Sequence, residues 1–467
     1  MFRERRVTLR PVPPAPTALI MAAGHGTRMR SRVPKVLHPV CGRPMVEWVI
    51  DAAWRAGAGR VVCVTRPGEG VAERLPAGVE VAEQTEGEGT GAAARAARAH
   101  VDPGATVLIL SADCPLVSAR LIEELVGVHE REHAAATLLT TEELDPAGYG
   151  RIVRGADGRV ERIVETKRTE GVPHEELAIR EINTGTYAFS GDALFSALAA
   201  VGETEGEHYL TGVFPLMREQ GQAVVAHRST DTLSAMGVNS RVGLMEVERH
   251  ARRGVIEVHA LAGVTFTSPE SVEIDAGVVI GEDTIVGPGV VLRGATRIGR
   301  GCEIGPHSTL VSATVGDDAM IVHSHLVECE VGDGVGVGPF AYLRPGARLK
   351  RAARVGTFVE VKNSTIGAEA KVPHLSYIGD ADVGAGANVA AGNITANYDG
   401  RKKHRTTIGA DARTGVHTSL VAPVRVGRRA YTGAGSVITG DVPDRALGIS
   451  RPEQRNVEGY ADRFEER

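Results

Sequence analysis

The chain has 467 residues, a formal net charge of −5 at pH 7, 57 glycines and only 4% aromatic residues. At roughly 100 to 200 residues per domain, its length calls for two or three domains. So mild an acidity creates no general attraction to nucleic acid or membrane, which leaves small-molecule substrates and local phosphate sites. The cysteines, Cys41, Cys63, Cys114, Cys302 and Cys329, form no C-x-x-C pair. That spacing argues against a disulfide framework or a zinc site and favours a reducing, cytoplasmic setting.

Residues 1–16 combine charge and proline without an apolar stretch and read as a disordered extension, not a secretory signal. No apolar run reaches the roughly 18 residues that a membrane span needs. From Thr17 to about residue 240, short apolar runs alternate with amphipathic stretches: TALIMAAG, MVEWVIDAAWRAG, RVVCVT, TGAAARAARAH, TVLILSAD and RLIEELVGVHER. The alternation predicts a βαβα domain with a buried, mainly parallel sheet. Leu244, Val247, Ala251, Val255 and Val258 then recur at helical spacing, so residues 241–263 are expected to form a connecting helix.

Over residues 264–445 the period changes to six. Ile274, Ile280, Val286, Leu292, Ile298, Ile304 and Leu310 make one register, and Val331, Val337, Leu343, Leu349, Val355 and Val361 a second. Ile408, Leu420, Val426 and Ile438 belong to a third. Glycine often follows the aliphatic, as in Ile280–Gly281 and Ile298–Gly299. One hexad makes a short strand and a turn, three make a triangular coil, and the aliphatics of successive coils stack into an interior column. The period is broken at residues 311–326 and 390–407, and loops can project from such breaks. Residues 446–467 form a tail.

Two constellations carry chemistry. The first follows the opening strand: Ala22-Ala23-Gly24-His25-Gly26-Thr27-Arg28-Met29, then Pro34-Lys35. Glycines there let backbone N–H groups face outward as an anion nest, and Arg28 and Lys35 add fixed positive charge, which suits a triphosphate. Asp113 ends TVLILSAD, at the carboxyl edge of a parallel sheet where ligands bind. Its carboxylate either helps hold Mg²⁺, with an amide oxygen and substrate phosphates, or caps the helix beyond Pro115. The second constellation gathers Arg344, Lys362, His374, Tyr377, Asn388, Asn397 and Tyr398 around the later break.

In chain order the motifs MAAGHGTRM, PKVLH, GTGAA, GYGRI, IVE, EINTG, GVNSR, LRPGA, HLSYIGD, NYDG and ISR span Thr17 to Arg451. Together they resemble the bacterial bifunctional N-acetylglucosamine-1-phosphate uridyltransferase / glucosamine-1-phosphate N-acetyltransferase family. The resemblance implies a Rossmann-like α/β nucleotidyltransferase domain at residues 17–240. It also implies a left-handed parallel β-helix of hexapeptide repeats, an acetyltransferase, at 264–445. The left hand comes from the resemblance alone, since crossovers are normally right-handed.

For uridylyl transfer from UTP the resemblance implies a nucleotide loop at Met21, Ala22, Ala23 and Gly24, a catalytic Arg28 and a phosphate-binding Lys35. It assigns uracil to Gln84, Gly89 and Thr90, the amino sugar to Gly150, Glu165 and Asn183, and Mg²⁺ to Asp113 and Asn239. For acetyl transfer it makes His374 the general base, places Arg344 and Lys362 on the sugar phosphate, and places Tyr377 and Asn388 on the sugar. Ala391, Asn397, Tyr398, Val416, Ala434 and Arg451 fall to acetyl-coenzyme A. The chemistry agrees: an amine must be neutral to attack a thioester, and an imidazole suits proton acceptance near neutrality. A homotrimer with an acetyltransferase site shared between neighbours is also implied.

Met21, His25 and the Ser111–Ala112 pair depart from the family's usual residues at loop-shaping positions, and Val416 stands where a serine is common. Two other readings stay open. One is a monofunctional NDP-sugar pyrophosphorylase with a structural or regulatory β-helix, which would not need His374. The other is a non-catalytic assembly protein, which would not need Arg28, Lys35, Asp113 and Asn239.

Overall fold

The computed structural model describes residues 14–166, 170–203 and 206–464. Residues 1–13 of the expected extension and 465–467 of the expected tail lie outside them. The chain divides into two compact units, Met1–Ala251 and Arg252–Arg467, with the boundary inside a helix at Arg241–Leu261. Along that helix Val247, Ala251 and Ile256 are buried, but Val258 is 67% exposed. The buried stripe shifts after Ala251, so the spacing read from sequence fails at Val258.

In the first unit, β1 (Thr17–Met21), β2 (Arg60–Thr65), β3 (Glu80–Glu83), β4 (Thr106–Ser111), β5 (Ala136–Thr141), β6 (Arg151–Arg154), β7 (Val160–Val164), β8 (Ile182–Ser190) and β9 (Val224–Arg228) build one sheet. Its main order is β9-β5-β8-β4-β1-β2-β3. The strands β1, β2 and β4 run parallel, while β8 runs antiparallel to β4 and β5. Strands β6 and β7 form an antiparallel arm off β8 that the apolar alternation does not announce.

The central strands are apolar on both faces because both are covered. Leu19, Val62, Val107 and Ile109 pack with Phe189 and Phe214 on one side. On the other, Ala18, Ile20, Val61 and Leu108 meet Val49 and Ile50 of α1 (Met45–Arg55) and Ile122 and Leu125 of α3 (Ala119–Arg131). On the first side α2 (Thr90–Ala96) contributes Ala93 and Ala94. Register Met21↔Ser111 brings the carboxyl ends of β1 and β4 level, so the loops that follow them, one with Gly24 and one with Asp113, leave the same edge.

The second unit is a stack of coils whose short strands make three parallel sheets. Paired residues run Ile280, Ile298, Val315, Val331, Leu349, Ile366, Val383, Ile408, Val426 in one sheet. Together with the columns of the other two sheets they form a single buried cluster. Glycine after the aliphatic is a steric need. A Cβ on Gly281 would lie 2.7 Å from the Gly299 carbonyl carbon of the next coil, and one on Gly299 would lie 2.6 Å from that of Gly316.

The two breaks in the hexad period differ. Ile280 pairs with Ile298, 18 residues on, but Leu310 pairs with Leu326, 16 on. That coil is shortened at a corner and no loop leaves it, contrary to the expectation from sequence. Val383 pairs with Ile408, 25 residues on, and this long coil carries the loop through Asn397–Arg405. No helix among the described residues is long and apolar enough to cross a membrane, and no disulfide joins the five buried cysteines.

Candidate active sites

In the first unit the loop after β1 runs close to Lys35. Gly26 has φ 59°, and a Cβ there would lie 2.7 Å from Cβ of Lys35, so only glycine lets the two segments meet. A Cβ on Gly24 would meet nothing within 4 Å, so the loop opens at that residue. Ala22 and Ala23 are buried behind it, and Met21 ends β1.

Four of the expected residues converge here. Lys35 Nζ donates to Asp113 Oδ2 and, at 3.3 Å, to Asn239 Oδ1, which also accepts from the Arg28 guanidinium at 2.9 Å. The Lys35 and Asp113 side chains are 12% and 22% exposed, so the pair is sheltered but reachable. Asp113 also accepts Val238 N–H through its backbone carbonyl at 2.8 Å, which brings the chain around Asn239 to it. The helix-cap alternative for Asp113 is excluded, because Ser118 caps α3 by accepting Leu121 N–H at 3.2 Å. Among the described residues no group of three or more His, Cys, Asp or Glu could hold a metal. A cation here would therefore rest on one carboxylate and one amide oxygen. Both already point at a single ammonium, a donor set of hard oxygens that suits Mg²⁺ once phosphates and water complete it.

Gln84 is buried and donates to Gly87 O at 2.8 Å. The loop it starts is pinned by the 208–210 backbone: His208 N–H donates to Glu88 O, Gly91 N–H to His208 O, and Leu210 N–H to Thr90 Oγ1. A Cβ on Gly89 would lie 2.6 Å from His208 O. The expected sugar residues form a neighbouring group. Asn183 N–H donates to Gly150 O, Asn183 Nδ2 donates to the Tyr187 hydroxyl at 2.7 Å, and Thr211 donates to Glu165 at 2.9 Å. Burial, with the Glu165 charge nearby, pushes the Tyr187 hydroxyl well up, so it stays protonated. Sequence reading missed Arg66, whose Nε donates to Ala23 O at 2.7 Å while its terminal nitrogens grip the Glu88 carboxylate.

In the second unit the expected residues split between two corners of the coil. At one corner, Asp380 is 5% exposed and accepts from Asn363 Nδ2 at 2.6 Å and from Asn397 Nδ2. Burial raises its pKa, but those bonds and the charges of Lys362 and Lys403 outweigh it, so the carboxyl titrates below its ordinary range. The nearby charge of Lys362 lowers the pKa of Lys403, and two neighbouring ammoniums favour an anion between them. Asn397 Nδ2 also reaches the Tyr377 hydroxyl at 3.5 Å. Arg344 stacks 5.9 Å from the Tyr342 ring centre and pairs with Glu360 at 2.8 Å. The sequence reading gives no role to Lys403 or Asp380, although Asp380 ends the motif HLSYIGD and Lys403 lies in the basic run RKKHR of the long coil.

At the other corner a ladder climbs through successive coils. His374 pairs with Thr357 below it. Above, Gly392 N–H reaches His374 O, His417 N–H reaches Ala391 O, and Gly435 N–H reaches Val416 O. Arg451 closes the ladder by donating to Ala434 O at 2.8 Å. His374 is exposed, and among the described residues its ring makes no hydrogen bond. Asn388 is exposed and pairs with Lys371, on the strand that ends in His374. The structure thus aligns His374, Ala391, Val416, Ala434 and Arg451. Asn397 and the 61% exposed Tyr398 stay at the first corner, beyond the strand Ile394–Ala396.

The family described as "MobA-like NTP transferase domain" matches residues 18–230, and "Bacterial transferase hexapeptide (six repeats)" matches 277–312. A bifunctional protein GlmU from Exiguobacterium sp. is 46% identical over 96% of this chain and 99% of its own length. The GlmU proteins of Geobacillus sp. and Mycolicibacterium vanbaalenii are 44% and 45% identical, over 96% and 95% of this chain and 98% and 92% of theirs. The chain belongs to the bifunctional GlmU family. Membership covers both units, so each of the two clusters just described belongs to a part of the chain that its relatives share. A solved UDP-glucose pyrophosphorylase complexed with UDP-glucose aligns with 51% of this chain and 99% of its own, at TM-score 0.43 and 16% identity, too loosely to bear on function.

Proposed function

We propose that this chain makes UDP-N-acetylglucosamine in two steps. Acetyl transfer from acetyl-coenzyme A to the amine of glucosamine 1-phosphate comes first. Uridylyl transfer from UTP to the resulting N-acetylglucosamine 1-phosphate follows and releases pyrophosphate. The observation that carries the proposal is that both clusters occur in one chain that matches bifunctional relatives from end to end. A monofunctional pyrophosphorylase would leave the His374 ladder without use.

In uridylyl transfer a phosphate oxygen of the sugar 1-phosphate attacks the α-phosphorus of UTP in line, and pyrophosphate leaves. Such a reaction asks chiefly for positioning and charge neutralisation. Arg28 and Lys35 supply N–H donors and positive charge for the phosphates, Gln84, Gly89 and Thr90 bound the uracil, and Gly150, Glu165 and Asn183 bound the sugar. Asp113 and Asn239 would hold Mg²⁺, which when bound neutralises charge on phosphate oxygens.

In acetyl transfer the amine attacks the thioester carbonyl, His374 takes the amine proton, and coenzyme A leaves as its thiolate. Arg344, Lys362 and Lys403 hold the sugar phosphate, with Tyr377 and Asn388 on the sugar. The ladder through Ala391, Val416 and Ala434 gives the extended cofactor a track of small and apolar residues, with Arg451 at its end. Coils rise about 4.8 Å each, so the three steps from His374 to Ala434 cover roughly 14 Å. A homotrimer fits the split between corners, because the Asn397–Tyr398 loop of one copy can serve the ladder of the next. Buried, unbridged cysteines fit a cytoplasmic enzyme.

The test is to supply UTP, Mg²⁺, glucosamine 1-phosphate and acetyl-coenzyme A together. UDP-N-acetylglucosamine, pyrophosphate and free coenzyme A should appear in equal amounts. Release of coenzyme A without pyrophosphate, or uridylyl transfer with no acetyl transfer, overturns the two-step reading.

A further inference from the structure

We infer that Arg66 is a positioning residue for the nucleotide, setting the spacing between the loop that receives the triphosphate and the loop that reads the base. The inference rests on the uridyltransferase reading above. Arg66 directly follows β2, at the sheet edge where β1 also ends, and its side chain is 18% exposed. Its Nε donates to Ala23 O at 2.7 Å. Its Nη1 donates to Glu88 Oε1 at 3.1 Å, and Nη2 donates to the other carboxylate oxygen. One planar group thus binds backbone on the triphosphate side and a carboxylate on the base side.

Three features make this a spacing role rather than a phosphate contact. First, the donors just named are committed to protein acceptors, and the Glu88 charge cancels that of the guanidinium. Glu88 titrates below its ordinary range, chiefly through its hydrogen bond from Arg66. Second, the far side of the base loop is already fixed by the His208–Leu210 backbone, so Arg66 settles the near side. Third, the two directions of donation require a rigid fork, which an ammonium lacks. His25 lies 3.8 Å from Glu88 but is 58% exposed, so it adds charge at the lip without fixing its geometry.

A misplaced base loop weakens ground state and transition state together, which raises KM and leaves kcat. It also blurs the reading of the base. The test uses the intact protein with N-acetylglucosamine 1-phosphate and Mg²⁺. Arg66→Met should raise the KM for UTP by about tenfold, change kcat by less than about threefold, and narrow the preference for UTP over CTP by about tenfold. Arg66→Lys should behave like Arg66→Met. An unchanged melting transition of the first unit reports that both variants are folded, and acetyl transfer should be unchanged in both. An unaltered KM and base preference overturns the inference, as does full rescue by lysine, which would make charge alone the cause. If the wild type shows no uridylyl transfer, the uridyltransferase reading is what fails. Calorimetric titration of UTP into wild type and Arg66→Met then decides the Arg66 role separately, with equal affinities counting against it.

Discussion

The two clusters are built on opposite plans. In the first unit Arg28, Lys35, Asp113 and Asn239 are bound to one another in a sheltered cradle, assembled from segments as much as 211 residues apart in sequence. In the second unit the residues come from successive coils and divide between two corners, with His374, Asn388, Val416 and Arg451 exposed. A cradle of mutually bonded charges is complete in one chain and fails when any member is removed. A ladder is additive: its members share little with each other, so single losses stay local.

The largest effect should come from the cradle. Asp113→Ala leaves the Lys35 ammonium without its carboxylate and removes the one carboxylate assigned to Mg²⁺. Charge neutralisation at the phosphates is lost with it, so uridylyl transfer should drop by about 10³ while acetyl transfer stays within about twofold. Parallel assays of the two half-reactions check this, and an equal fall in both would erase the contrast.

The first unit should also be acid-sensitive. His129 is 5% exposed, bonds Thr137 at 3.1 Å, and has its pKa lowered by burial to about 4. The unfolded chain takes up that proton near pH 6.5 and the folded chain only near 4. Stability from this group is therefore full above pH 6.5 and is lost as pH falls toward 4. The loss is about 3 kcal/mol, measurable as a falling midpoint in denaturant titrations. His129→Gln should flatten the slope in that window.

Next in size, His374→Ala should slow acetyl transfer by about 10², at the low end for a general base, with little change in KM. Uridylyl transfer from ready-made N-acetylglucosamine 1-phosphate should not change. Because the ring makes no hydrogen bond, the melting temperature should hold as well, and a variant that melts early would point to a structural role. The smallest effect is expected from Lys403→Ala: about tenfold in KM for glucosamine 1-phosphate, with kcat nearly intact, as fits one of several cations on a phosphate. Steady-state kinetics in sugar phosphate decide it, and a fall in kcat alone would place Lys403 elsewhere in the reaction.

The two plans also differ in how much of each can be read without a structure. The hexad column is local, since Ile280, Val286 and Leu292 announce coil and interior by spacing alone. So the β-helix was legible, and its failure came at residues 311–326, where a shortened corner imitates a loop. The cradle is non-local. Nothing in the residues near Lys35 says that Asn239 will arrive beside it, and only likeness to known sequences grouped them. Arg66 with Glu88, and Lys362 with Lys403, were invisible for the same reason: neither pair shares a motif, and each meets through the fold. Val258 failed because helical spacing records periodicity and not which neighbour covers each turn.

The pairing register of the coils sets a rule for how this molecule can change length. Because each strand lies directly over one in the coil below, removing a whole coil such as residues 281–298 would shorten the stack by about 4.8 Å and return every later side chain to its own column. Removing a single hexad would carry each later strand onto the wrong sheet and turn the His374 ladder to a different face. Insertions and deletions below the His374 ladder are thus quantised, in whole turns or in the one or two corner residues already missing at Leu310–Leu326. A protein built this way can grow or shrink its stalk while its reactive face keeps one orientation.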